Sequence, residues 1–275
     1  MACSDADYSY LRELVLSQSA NVIDPRRNTL FETRLTPVAR LAGAANLGGL
    51  VDILRNDRTD HLQRAVAKAM TINETSFFRD VKPFDALRTT VIPKLIESRQ
   101  HERRLRIWSA ASSTGQEAYS VAMLLTEHFP ELKRWDVKVI GTDISRSVID
   151  YAGRARYRRM EVNRGLPARL LVKYFSRHGE EWEICPKVRA LCEFSCVNLC
   201  GPLPPLPMFD IVLLRNVLLY FPQRDRSCVF TDVHRRLSSE GALLLGNAEQ
   251  AEDSTNLFTA EFAAGSYFYR PASRS

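Results

Sequence analysis

Three things are scarce in this chain of 275 residues, and each scarcity closes off a class of function. Cysteine is the first, with six residues: Cys3, Cys185, Cys192, Cys196, Cys200 and Cys228. No two of them form a CxxC pair, and so few cannot build a disulfide framework. Cys192, Cys196 and Cys200 stand four apart, a spacing that fits neither the common zinc pairs nor an iron–sulfur motif. They read as small buried hydrophobes on a strand and its exit. The five histidines are scattered along the chain, so no metal site is expected. Long apolar runs are the second lack. The longest, residues 211–219, is broken by Arg215 and Asn216 and falls far short of the ~20 residues a membrane helix needs. No membrane insertion is expected. Residues 1–10 are polar and acidic, unlike a signal peptide, and the expected location is cytoplasmic. The third lack is the GxGxxG dinucleotide fingerprint.

What remains is an ordinary core-forming composition, 45% hydrophobic and 25% charged, with a net charge of +6. The positive balance favours an acidic partner. Arg26, Arg27, Arg34 and Arg40 cluster early, without the interleaved aromatics that stacking on nucleic acid requires, so no nucleic-acid partner is expected. A solvated helix face explains the cluster equally well.

Helical spacing dominates the first 95 residues. Asp5 or Asp7 can cap a segment carrying Leu11, Leu14 and Val15, and Pro25 opens a second one. The pattern changes at Leu105. Apolar runs at 105–111, 137–142, 209–214 and 242–246 alternate with helical stretches, which predicts an α/β fold with a parallel sheet covered on both faces. Residues 261–270 suit an antiparallel hairpin. Residues 174–197 read as a small β excursion leading back into the main sheet. The expected domains are therefore 1–95, helical, and 96–275, α/β, with a β-subdomain at about 174–197.

Open α/β sheets bind ligands beyond the carboxyl ends of their strands. Three segments end there: Ser109 to Glu117, with Gly115 in a strand-to-helix turn; Asp143; and Arg215-Asn216. Each alone has a plain structural explanation, Asp143 as a helix cap and Gly115 as a turn. Together they describe a nucleoside site without a pyrophosphate cradle, which suits S-adenosylmethionine better than NAD.

The segment Thr71-Ile72-Asn73-Glu74-Thr75-Ser76-Phe77-Phe78-Arg79 resembles the TxNxTxFFR signature of CheR-type chemotaxis methyltransferases, which methylate receptor glutamates. Arg106-Ile107-Trp108-Ser109-Ala110, followed by Ser113-Thr114-Gly115-Gln116-Glu117-Ala118-Tyr119-Ser120, is similar to a second block of that family. Gly141-Thr142-Asp143, Val197-Asn198-Leu199, Arg215-Asn216 through Tyr220-Phe221, and the stretch from Gly241 to Glu249 continue in the family's order. The resemblance implies a Rossmann-type S-adenosylmethionine-dependent methyltransferase sheet, a small helical N-terminal domain and an inserted β-subdomain. It implies cofactor contacts at Asn73, Thr75, Arg79, Glu117, Asp143, Asn198, Leu199, Arg215 and Asn216, with Arg79 and Tyr220 facing the transferred methyl. The implied product is S-adenosylhomocysteine beside a γ-glutamyl methyl ester. The implied partners are the cytoplasmic helices of a methyl-accepting chemoreceptor, met by a monomer. Gln116 and Ala118 depart from the family's Glu and Pro while Glu117 is kept. Residues 178–189 are too short for the glycine-containing extension of members that grip a receptor's tail pentapeptide, so tether binding is not expected. A methyltransferase of another substrate class, or a non-catalytic cofactor-binding module, are the alternatives.

Overall fold

Ser4 and Asp7 close a capping box at the start of α1 (Asp5–Ser19), the Ser4 amide donating to Asp7 Oδ2 at 3.0 Å. The cap is thus Ser4, with Asp7 as its reciprocal partner, rather than either aspartate alone. Helices α2 (Asn28–Leu41), α3 (Leu47–Asn56) and α4 (Asp60–Met70) follow. They bury Leu11, Val15, Phe31, Leu35, Leu50, Leu54, Val66 and Met70 in one core. The carbonyls that end α4 are satisfied by side chains: Arg34 Nη1 donates to Thr71 O at 2.7 Å, and Asn21 Nδ2 to Met70 O at 3.1 Å. Arg34 is therefore a capping group and not part of a solvated basic face. Arg26 pairs with Asp24, while Arg27 and Arg40 are exposed.

The computed structural model describes residues 3–56, 60–71, 74–251 and 256–272. By their contacts they form two compact units, Met1–Ile72 with Tyr220–Asp225, and Asn73–Leu219 with Arg226–Ser275. The division falls at Ile72, where the periodicity had set it near 95. The physical reason is the apolar face of residues 77–95: Phe77, Phe84, Leu87, Val91, Ile92 and Leu95 belong to the core of the sheet unit. None of the helices described is long and apolar enough to cross a membrane.

The sheet unit opens with α5 (Val81–Ala86), a π turn at Leu87–Val91 and α6 (Ile92–Ser98). Pro93 lacks an N–H and would press on the carbonyl four residues back, so the wider turn just before it relieves that clash. The chain continues β1 (Arg104–Ala110), α7 (Gln116–His128), β2 (Asp136–Asp143), α8 (Arg146–Arg154), β3 (Arg156–Arg158), α9 (Arg159–Val162), α10 (Ala168–Tyr174), β4 (Phe175–His178) and β5 (Glu181–Ile184). Then come α11 (Pro186–Arg189), β6 (Cys192–Cys196), β7 (Phe209–Leu214), α12 (Gln223–Arg236), β8 (Leu237–Leu245), β9 (Phe258–Ala263) and β10 (Ser266–Pro271).

Seven strands form the main sheet in the order β6-β2-β1-β7-β8-β10-β9. Ile107 of β1 lies between Val139 of β2 and Ile211 of β7, all three strands parallel. The final hairpin is antiparallel as its sequence predicts, but β10 inserts between β8 and β9 instead of extending the edge. Residues 192–196 lead the β excursion back into the main sheet as an edge strand on β2, while the small sheet, β3-β5-β4, takes its third strand from residues 156–158, ahead of the excursion. Pro186 starts the short helix α11 between β5 and β6. Only Cys192 of the regular trio is even half-buried. Cys196, at the end of the edge strand β6, and Cys200, in the loop beyond it, are exposed.

Candidate functional site

From β1 the chain runs outward through β2 to β6, then returns to β7 on the other flank of β1. Strand order therefore reverses between β1 and β7, the place where open α/β sheets bind ligands beyond the carboxyl ends of their strands. Several residues at these exits hold backbone conformations that L-residues seldom adopt: Ala111 (φ +56°), Ser113 (φ +50°) and Asn216 (φ +59°). Phe78 (φ +48°) and Asp80 (φ +56°) in the segment before α5 do the same. Each costs of order 1–3 kcal/mol and persists only where the surroundings hold it.

After β1, Gly115 takes φ +90°, and a Cβ there would lie 2.8 Å from the Cβ of Ala152 and 3.1 Å from the ring of Phe194. The turn needs glycine on both counts, so its role is more than the plain turn considered above. Gly115 is followed by α7, whose first turn carries Glu117. Ser109 Oγ, at the end of β1, donates to Glu117 Oε1 at 2.7 Å. Arg215 Nη1, just past β7, donates to Glu117 Oε2 at 2.8 Å. Arg215 Nη2 donates to the carbonyl of Arg79 at 2.7 Å and to Asp80 Oδ2 at 3.1 Å. The Arg215 side chain is only 1% exposed and its guanidinium stands 5.6 Å from the Phe84 ring centroid. One planar cation thus ties β7, α7 and the segment before α5 together.

Asp143 ends β2 and is buried. Its Oδ2 accepts from the Ser113 amide at 3.0 Å and its Oδ1 from the Ser145 amide at 2.9 Å. Burial pushes its carboxyl above the usual range, opposed by those amide bonds. The helix-cap role and the ligand role are not exclusive, since each oxygen keeps a further lone pair. The Asp143 carbonyl also accepts from the Val197 amide at 2.9 Å, which brings Asn198 and Leu199 to the same edge. Leu199 is buried. Asn198 is half-buried, and its Oδ1 accepts from the Cys200 amide at 3.0 Å.

Glu117, Asp143, Asn198, Leu199, Arg215 and Asn216 therefore gather at the carboxyl edge of the sheet unit, and the segment 74–80 meets them through the Arg215 bonds. Thr75 is half-buried in that segment. Arg79 Nη1 donates to the Glu74 carbonyl at 2.9 Å. Asn73 lies outside the described residues. Tyr220 belongs by its contacts to the helical unit, where its carbonyl accepts from the Val22 amide at 2.8 Å. Motif reading gave Glu249 no role, yet its buried carboxylate accepts from the amides of Asn216, Val217, Leu218 and Gly246. Backbone donors leave no residue-type signature, and the Gly246-to-Glu249 spacing was the only sequence trace of it.

The donor set suits a cationic nucleoside that carries an amino acid. Arg79 and Arg215 supply two positive charges against three negative ones on Asp80, Glu117 and Asp143. S-adenosylmethionine, with a sulfonium and an ammonium against one carboxylate, has the complementary net charge of one cation. Two buried polar atoms here, Ser112 Oγ and Arg215 Nε, have no hydrogen-bond partner among the described residues, a state that a polar ligand relieves.

Residues 73–265 match the family model described as CheR methyltransferase, SAM binding domain. Chemotaxis protein methyltransferase 1 of Pseudomonas aeruginosa is 35% identical over 254 residues, covering 90% of this chain and 92% of that protein. The chemotaxis protein methyltransferase of Vibrio anguillarum is 34% identical over 261 residues, covering 93% of each. Among solved structures, a TehB-like SAM-dependent methyltransferase from Corynebacterium glutamicum is 16% identical with a TM-score of 0.37, covering 65% of this chain and 83% of that one. A likeness that distant adds nothing to the strand order described above.

Proposed function

We infer that this chain, which belongs to the CheR methyltransferase family, methylates side-chain carboxylates of glutamates on the cytoplasmic helices of a chemoreceptor. The cofactor is S-adenosylmethionine, and the setting of the reaction is the cytoplasm. The observation that supports the reading best is the convergence of Glu117, Asp143 and Arg215 at the point where strand order reverses, with the strained segment 78–80 bonded to it.

Asn73, Thr75, Arg79, Glu117, Asp143, Asn198, Leu199, Arg215 and Asn216 are the proposed cofactor contacts. Asp143 offers lone pairs to the ribose hydroxyls, and Glu117 offers a carboxylate to the ammonium while Arg215 holds it in place. When bound, the sulfonium supplies an electrophilic methyl group and departs as the neutral thioether of S-adenosylhomocysteine. The protein needs no general base for this, since a free glutamate has a pKa near ~4.3 and is already ionised at neutral pH. Its task is alignment, which can contribute roughly 7–11 kcal/mol when the reacting atoms are held in line. Arg79 and Tyr220 are proposed to orient the incoming carboxylate, the guanidinium fork of Arg79 matching its two oxygens. Among the described residues only Nη1 of that fork is hydrogen-bonded. Exclusion of water strengthens these contacts. β4 and β5 join through Gly179-Glu180, and tether binding stays outside the proposal.

The test is incubation of the intact chain with methyl-labelled S-adenosylmethionine and receptor cytoplasmic fragments. Base-labile label on the fragment is expected, and label on RNA alone would overturn the assignment. Arg79→Ala, which also removes a cofactor contact, should raise the Kd for S-adenosylhomocysteine about tenfold but lower kcat by far more, at least 1000-fold. Equal losses in both would remove Arg79 from the orienting role.

A further inference from the structure

Glu249 is 7% exposed and has no cationic partner among the described residues. Its charge is met by backbone instead. Oε2 accepts from the amides of Asn216 at 2.6 Å and Gly246 at 2.8 Å. Oε1 accepts from the amides of Val217 and Leu218, each at 2.8 Å. Four donors from the exits of two adjacent strands, β7 and β8, thus converge on one carboxylate. The reaction outlined above gives this group nothing to do.

The arrangement has a specific mechanical consequence. Asn216 sits at φ +59°, a left-handed conformation that asparagine tolerates better than other non-glycine residues but shares with its extended alternatives unless the loop is braced. Glu249 is what holds it, by binding the Asn216 amide and the two that follow. The fit is close. A Cβ on Gly246 would lie 2.6 Å from Glu249 Oε2, 2.7 Å from Asn216 Nδ2 and 2.9 Å from the Asn216 amide nitrogen. Only glycine lets the β8 exit approach this near. An ionised carboxylate is also the one side chain that presents acceptors on both terminal atoms. Glutamine in its place would aim an NH2 at two N–H donors whichever way its amide is turned.

We propose that Glu249 is a positioning residue for cofactor binding: its carboxylate, seated against Gly246, fixes the β7 exit so that Asn216 is presented to the cofactor in its left-handed conformation. This rests on the reading of Asn216 as a cofactor contact. Glu249 itself touches no substrate and acts through the loop.

The experiment is calorimetric titration of the intact chain with S-adenosylhomocysteine, at a temperature where near-ultraviolet circular dichroism shows each variant folded. Glu249→Gln is expected to weaken binding at least tenfold and to leave the KM for a receptor fragment within twofold at saturating cofactor. Gly246→Ala, which crowds the same carboxylate from the other side, should give a similar loss. The double variant should bind no more weakly than the worse single one, since both changes act through one group. Glu249→Asp, one methylene short, serves if the glutamine variant does not fold, with the same expected loss. Wild-type affinity in folded Glu249→Gln or Glu249→Asp, with only a lower melting temperature, would overturn the proposal and leave Glu249 a structural residue. Asn216→Ala separates the premises. If it binds like wild type, the cofactor reading of Asn216 fails and the inference with it. If it binds weakly while the Glu249 variants bind normally, the inference alone fails.

Discussion

Asp143 is pulled in two directions. Burial raises its pKa because the charged form loses hydration, while the Ser113 and Ser145 amides favour that charged form. Burial wins, and the sign of the pH dependence follows. A carboxyl with a raised native pKa binds its proton more tightly when folded. Its contribution to stability is therefore fully present below the unfolded pKa and is lost as pH rises through the native one. Ligand affinity should run the other way, because only the ionised carboxylate offers charged acceptors to the ribose hydroxyls on both oxygens while it also accepts the two amides. Titration with S-adenosylhomocysteine between about pH 4 and 8 should show affinity falling on acidification, starting above the ordinary aspartate pKa of ~3.9. A profile flat down to that value would mean that Asp143 only caps the turn. Arg215 illustrates what residue types can and cannot announce. Its position after a buried apolar run marked it as a site residue, but its partners at Arg79 and Asp80 lie 136 and 135 positions away. No local spacing encodes a bond of that length. Glu249 is the harder case, since all four of its partners are amides that every non-proline residue possesses.

The elements that were plain in the sequence are those buried on both faces. β7, with every residue buried, and β1 and β2 stand out as apolar runs between helical stretches. The obscure elements are the short or half-exposed ones. β3 consists of Arg156, Tyr157 and Arg158, of which only Tyr157 is buried, and two flanking arginines hide it. β6 is an edge strand with an exposed flank, so its alternation read as part of the β excursion. The position of β10 between β8 and β9 depends on long-range pairing, which a hairpin signal does not report. Close approach between loops is equally silent. Gly165, at φ +84°, lies so near Phe77 that a Cβ would fall 2.0 Å from the Phe77 carbonyl oxygen. Phe77 in turn packs edge-on against Tyr157 and Phe175, with centroids at 5.0 and 5.6 Å. Gly165→Ala combines a positive-φ penalty with a backbone clash and should destabilise the sheet unit by about 2–4 kcal/mol in urea titrations. A loss under ~0.5 kcal/mol would show that the two loops separate at little cost.

At the scale of the molecule, two cores are built from one chain, and the sequence showed both as a change from helical periodicity to alternating strands and helices. What it placed differently is the division, because residues 77–95 are helical yet give their apolar face to the sheet unit's core. The ligand contacts proposed above come from five separated segments of that unit, between positions 73 and 216, so binding should stabilise it as a whole. With S-adenosylhomocysteine at 100 times its Kd, the sheet unit's unfolding free energy should rise by about 2.7 kcal/mol, read as a higher midpoint in thermal melts. An unchanged midpoint at that saturation would mean that the unfolded chain holds the ligand equally well.

The distant bonds of Arg215 and the late position of Glu249 bear on how the protein is born. Ribosomes emit the polypeptide from its amino end, so segment 79–80 emerges long before its guanidinium partner, and the carboxylate that braces the loop after β7 comes later still. Prematurely terminated products ending before position 249 would then be mute towards the nucleoside, however much of the sheet they had managed to pair.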